Sequence, residues 1–242
     1  MRGRTASEQL TLQWNGRTIP ARWQRSQRRS VQLQLEPPGL VCCRTPLHVT
    51  RAGALRALED KKDWILAGLE QFAQLGVAPH IYRSGDVFWF AGEQLTLRIL
   101  EGEGPYYTVE ATDSELQVTA ADTNPAQIKA MLETWYRQMA RQWLTTWVNY
   151  HSRCLALEPK GITITGARKR WGSCSDQGRL SFSWLLVMAP PLVMEYVVVH
   201  ELCHMRIMDH SPKFWKLVAE ALPGWREQRD WLSRHGLRFF WN

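Results

Sequence analysis

His200, Glu201, His204 and His210 lie within eleven residues of a chain that has seven histidines in all. Two histidines four apart can share a cation only from a helix. Four residues rise about 6 Å there with both side chains on one face, against about 13 Å along a strand. Val197-Val198-Val199 favours a strand by propensity, so a shared ion forces the helical reading, and Pro190 and Pro191 at the start of the segment agree with it. Such a helix is apolar nearly all round, hence buried, and buried imidazoles and a buried carboxylate need partners. A zinc ion (Zn2+) supplies them, each neutral imidazole giving one nitrogen at about 2.0–2.1 Å. Glu201, next to the first ligand, is then placed to act as general base on a metal-activated water. The plainer alternative is a buried helix with polar residues near its end.

His210 is the expected third ligand, six residues beyond His204 and directly before Ser211-Pro212. Metzincins place a third histidine at this spacing, but with a glycine where this chain has Ile207 and with a downstream methionine turn that is missing here. Gluzincins use a glutamate from a later helix, for which Glu220 and then Glu227 are the candidates.

The elements that must position these residues follow from pattern. Short alternating runs from about Leu10 to Val49 predict two or three strands, and Leu55, Leu58, Ile65, Leu69 and Phe72 predict a helix from Thr50 to about Phe72. "DVFWFAGEQLTLRILEG" predicts a hairpin turning at Ala91-Gly92, and "YYTVEATDSELQVTA" a second one. At Asn124-Pro125 the character changes. A capping residue, a proline at the first helical position and the row Ile128, Leu132, Trp135, Met139, Trp143 predict a long amphipathic helix to about Tyr150. "ITIT" and "RLSFSW" read as strands on either side of "GARKRWGSCSDQG"; three further helices follow, starting near Pro190, at Ser211-Pro212 and beyond Gly224. The expectation is an α+β chain with a strand-rich region over 1–123 and a helical catalytic region over 124–242, or the two as one continuous domain.

The residues "RKRWGSCSDQGRLSFSWLLVMAPPLVMEYVVVHELCHMRIMDHSPKFW" resemble the YgjP-like (SprT-related) zinc metallopeptidase family. The features shared are the Arg-Trp-Gly-Ser-Cys-Ser loop, a strand ending in Trp-x-Leu, the Met-Ala-Pro-Pro helix start, and His-Glu-Leu-x-His with a later His-Ser-Pro-x-Phe-Trp. Ser183 stands where the family commonly has asparagine. The resemblance implies a minimal zincin-like fold, a small sheet against the active-site helix, with His200, His204 and His210 as ligands and Glu201 as the catalyst. It also draws attention to Arg168, Lys169, Arg170 and Trp171 as candidates for a substrate cleft, where an arginine could stabilise an oxyanion.

Composition narrows the remaining classes. The chain has 242 residues, 45% hydrophobic and 22% charged, as globular domains have. No window approaches the roughly 18 consecutive apolar residues of a membrane span, and the N-terminus lacks the apolar run of a signal peptide. Five cysteines, two of them adjacent and none in a Cys-x-x-Cys pair, suit reduced thiols in a cytoplasmic protein. The net charge of +7 admits nucleic acid as a partner, with Arg22, Arg25, Arg28 and Arg29 as a candidate patch, although such arginines more often form a solvated edge. The expected activity is hydrolysis of peptide or protein substrates. The rivals are a phosphohydrolase using the same metal and a nucleic-acid-binding module with a structural zinc.

Overall fold

Leu10, Leu12 and Trp14 are buried and Gln9, Thr11 and Gln13 exposed along β1 (Ser7–Trp14), the period-two pattern of a strand with one face on a core. This computed structural model describes residues 7–74, 79–168 and 170–241. The chain divides into two compact units, Met1–Pro79 and His80–Asn242.

In the first unit β1 turns at Asn15-Gly16, both with positive φ, into β2 (Arg17–Ser26). β3 (Gln32–Glu36) and β4 (Leu40–Pro46) complete a four-stranded sheet of order β1-β2-β4-β3, in which β2 and β4 run parallel. There are thus four strands where the alternation predicts two or three. The single helix expected from Thr50 to Phe72 is two, α1 (Arg51–Glu59) and α2 (Lys62–Gln74). The break falls at Asp60, whose N–H turns back to the carbonyls of Arg56 and Leu58. Ala54 and Leu58 of α1 and Ile65 of α2 thereby enter one core with Leu12, Trp23 and Val41 of the sheet. Hydrophobic periodicity survives such a two-residue break at Asp60 and Lys61, which is why it does not reveal it.

The second unit begins with β5 (Val87–Phe90), β6 (Glu93–Glu101), β7 (Thr108–Ala111) and β8 (Glu115–Ala120), order β5-β6-β8-β7. Both expected hairpins are present. Phe88, Leu95, Leu97, Leu116 and Val118 of this sheet share a core with Ile128, Leu132, Tyr136 and Leu144 of α3 (Pro125–Cys154). The change of character at Asn124 therefore marks a junction inside this unit, and the division between units falls at Pro79 and His80. Asn124 caps α3, its side chain accepting from the Ala126 N–H at 2.9 Å.

A second sheet, of order β10-β11-β9, follows: β9 (Gly161–Thr165), β10 (Gly172–Cys174) and β11 (Arg179–Ser183), with β9 and β11 parallel and β10 antiparallel at one edge. After a 3-10 turn at Trp184–Met188 come α4 (Pro191–His204), α5 (Pro212–Ala221) and α6 (Trp225–His235).

The β5–β6 turn helps fix the start of α4. Ala91 and Gly92 have φ of 54° and 91°, as a tight hairpin turn requires, and their N–H groups donate to the carbonyls of Val187 and Met188 at 2.9 Å. A Cβ on Gly92 would stand 2.7 Å from Pro190 Cγ and 3.1 Å from its Cα. Gly92→Ala is therefore expected to destabilise the second unit by about 1–3 kcal/mol, measured as a lower urea midpoint at unchanged slope.

Candidate metal centre

Val197, Val198 and Val199 are helical in α4 because burial overrides their local preference. Val193, Met194, Val198, Leu202 and Cys203 are all buried, so beyond its exposed first turn the helix is enclosed by packing on nearly every side. His200 and His204, one turn apart, project from it together, and the chain leaves the helix at Met205 to bring His210 back over them. The Nε2 atoms of His200 and His204 are 3.2 Å apart, those of His204 and His210 3.2 Å, and those of His210 and His200 3.1 Å.

These three nitrogens fit a divalent cation. Nε2 atoms bound to one tetrahedral ion at about 2.05 Å would lie about 3.3 Å apart, close to what is seen. His204 Nδ1 is 3.0 Å from the Ile207 carbonyl oxygen. As a carbonyl only accepts, Nδ1 carries the proton and Nε2 presents a bare lone pair. Burial, reinforced by His204, His210 and Arg229, lowers the pKa of His200 to about 3, so this ring is neutral as a ligand must be. Its Nδ1 is buried without a hydrogen-bond partner. Phe214 forms the floor, fully buried, its ring centroid 5.0, 4.4 and 5.0 Å from those of His200, His204 and His210. Among the described residues these three histidines form the one group arranged to hold a metal ion. Glu220, the alternative third ligand, faces elsewhere and pairs with Lys216 at 3.9 Å.

Glu201 is 6% exposed. Burial raises its carboxyl pKa to about 7, against a smaller opposing effect of Arg170. The carboxyl lies against β10: a Cβ on Gly172 would come within 2.6 Å of both Cγ and Oε1 of Glu201. Only a glycine admits the side chain there.

A family model for the YgjP-like metallopeptidase domain matches residues 29–235. The chain belongs to this family. Searches among curated proteins and among solved structures found no match. The YgjP-like match begins in the first unit and runs through the second as far as the end of α6.

The residues expected to line a substrate cleft separate. Arg170 is exposed and acts electrostatically on Glu201. Arg168 donates to the Trp241 carbonyl. Trp171 packs on the C-terminal turn, its Cζ2 2.9 Å from a Cβ position on Gly236 and its ring 6.2 Å from that of Phe239. Lys169 lies outside the described residues. Cys203 is fully buried, its thiol pKa pushed by burial up to about 11, whereas Cys174 is half-buried and near enough to Glu201 to have its thiol pKa raised by it as well as by burial.

Sequence reasoning assigned no role to Gly172, Tyr196 or Arg229. Tyr196, one turn before His200, meets its ring edge-on at 5.8 Å; the four-residue step was the available signal. Gly172→Ala is expected to leave the melting temperature within a few degrees of the parent while lowering kcat/KM about 10²-fold, since displacing a reacting group by an ångström has that scale of effect. Full activity on an unfolded protein substrate would show that the carboxyl position is immaterial.

Proposed function

We propose that the chain is a zinc-dependent peptidase of minimal zincin-like architecture, with His200, His204 and His210 as ligands and Glu201 as general base and acid. One arrangement supports this above all: three imidazole nitrogens meeting within 3.1–3.2 Å, beside a buried carboxyl on the residue after the first. Three imidazole nitrogens suit zinc among the common divalent ions. Zinc bound there supplies a Lewis acid for the scissile carbonyl and lowers the pKa of the attacking water. Glu201 takes a proton from that water as its oxygen adds to the carbonyl carbon, then passes it to the amide nitrogen as the C–N bond breaks. Gly172 keeps the space in which the carboxyl sits. β10 is an edge of its sheet, and an extended polypeptide laid along its free side would present successive carbonyls beside Glu201.

A phosphohydrolase on the same centre is the second reading; the exposed guanidiniums of Arg229 near His200 and Arg170 near Glu201 are the observation in its favour. A structural zinc in a nucleic-acid-binding module fits less well, because such sites close with four protein ligands. Among the described residues no helix is long and apolar enough to cross a membrane, and all five cysteines are free; we assign the protein to a reducing, cytoplasmic setting. The test is metal content followed by a mixed substrate panel. About one zinc per chain and chelator-sensitive cleavage of an unfolded protein, with new amino termini seen by mass spectrometry, are expected. Nucleoside triphosphate breakdown with the protein substrate left intact would transfer the proposal to the second reading.

A further inference from the structure

The aromatic residues beyond His210 form a stack that ends in two arginines. The rings of Trp215 and Trp225 lie 4.5 Å apart at 15°, and Trp215 in turn stacks on the ligand candidate His210 at 5.6 Å and 28°. Arg229 sits over Trp215 at 5.1 Å, and Arg226, three residues earlier on α6, over Trp225 at 4.7 Å. Both arginines are exposed. Among the described residues neither makes an ion pair or a side-chain hydrogen bond, although Asp230 stands next to Arg229 in sequence. A guanidinium held over an indole spends its face on the ring and keeps its N–H edge for a planar two-oxygen partner.

Two features separate this from ordinary surface charge. The second unit is almost balanced, with eighteen Lys and Arg against seventeen Asp and Glu, whereas the first has twelve against six. The arginines beside the three histidines are therefore not part of a general excess. Arg229 also stands close to the centre, 5.1 Å from the Trp215 ring that in turn lies 5.6 Å from the His210 ring, and a fixed positive charge there opposes a bound cation. A negative group brought by the substrate reverses that penalty.

We propose that Arg226 and Arg229, held on the Trp215–Trp225 stack, form a substrate subsite that recognises an oxyanion, namely the carboxylate of an acidic residue within about three residues of the scissile bond. The spacing follows because Trp215 lies 5.1 Å from one guanidinium and 5.6 Å from the His210 ring, a separation that three extended residues at about 3.4 Å each can span. The carboxylate as the source of the oxyanion rests on the peptidase reading; a phosphate would offer the same chemistry.

The test is calorimetric binding to the zinc-loaded full chain carrying Glu201→Gln, which measures recognition without turnover. The probes are an alanine-based peptide with glutamates on both sides of its centre, the same peptide with glutamines, and ATP. The glutamate peptide is expected to bind at least 10-fold more tightly than its glutamine counterpart. Adding Arg229→Gln should abolish that preference, and Arg229→Lys should retain only part of it, because lysine keeps the charge without the fork. If ATP instead shows the arginine-dependent binding, the oxyanion subsite stands and the peptidase reading falls. If neither anion binds better than the neutral peptide, or if Arg229→Gln and Arg226→Gln bind all probes as the parent does, the subsite is refuted.

Discussion

Glu201→Gln is expected to keep about one metal ion per chain and an unchanged melting profile while turnover falls by about 10²–10⁴-fold, the usual contribution of a positioned proton carrier. Glutamine has the same shape as the buried side chain it replaces, so it fits the space left by Gly172, within 2.6 Å of the position a Cβ there would take. It cannot take a proton from water. The three histidine nitrogens are untouched, so metal content serves as the internal control. A variant with both metal and full turnover would remove Glu201 from the mechanism, and one without metal would make it a structural residue of the centre.

His204→Ala should have the largest effect of any single change at the site. Its ring contributes one of the three convergent nitrogens, holds the loop through its Nδ1 donation to the Ile207 carbonyl at 3.0 Å, and stacks on Phe214 at 4.4 Å and 22°. Removing it should abolish both metal and activity. Binding to the folded state alone stabilises a protein by about 4 kcal/mol at a thousand-fold excess of ligand over Kd. A chelator should therefore lower the melting temperature of the wild type by several degrees and leave that of His204→Ala unchanged. An equal response of the two proteins would mean that the metal sits elsewhere.

What the sequence made legible depended on whether the determining contacts were local. α3 could be read because its cap, its first-turn proline and its apolar row all lie within the helix itself. The Ala91-Gly92 hairpin was legible for the same reason. α4 was not readable from propensity, as its three valines favour a strand, and only the distance limit on two histidines sharing an ion decided the matter. Gly172 is the reverse case: its importance arises from a side chain 29 positions later, and nothing near it in the chain announces that approach. Arg226 and Arg229 look like ordinary exposed residues of an amphipathic helix until the stacked indoles beneath them are seen. The division at Pro79 and His80 is hard to place from local pattern because the sheet on its C-terminal side is completed by a helix that begins more than forty residues later.

Phe214 underlies all three imidazoles at once and belongs to α5, which begins two residues after the last of them. The three proposed ligands are therefore not independently sprung. Swinging one ring aside to free a cation would open a void against the phenyl group, so escape has to await a breathing motion of the whole segment. Exchange with a radioactive isotope of the metal should then proceed at the pace of amide deuteration in α5.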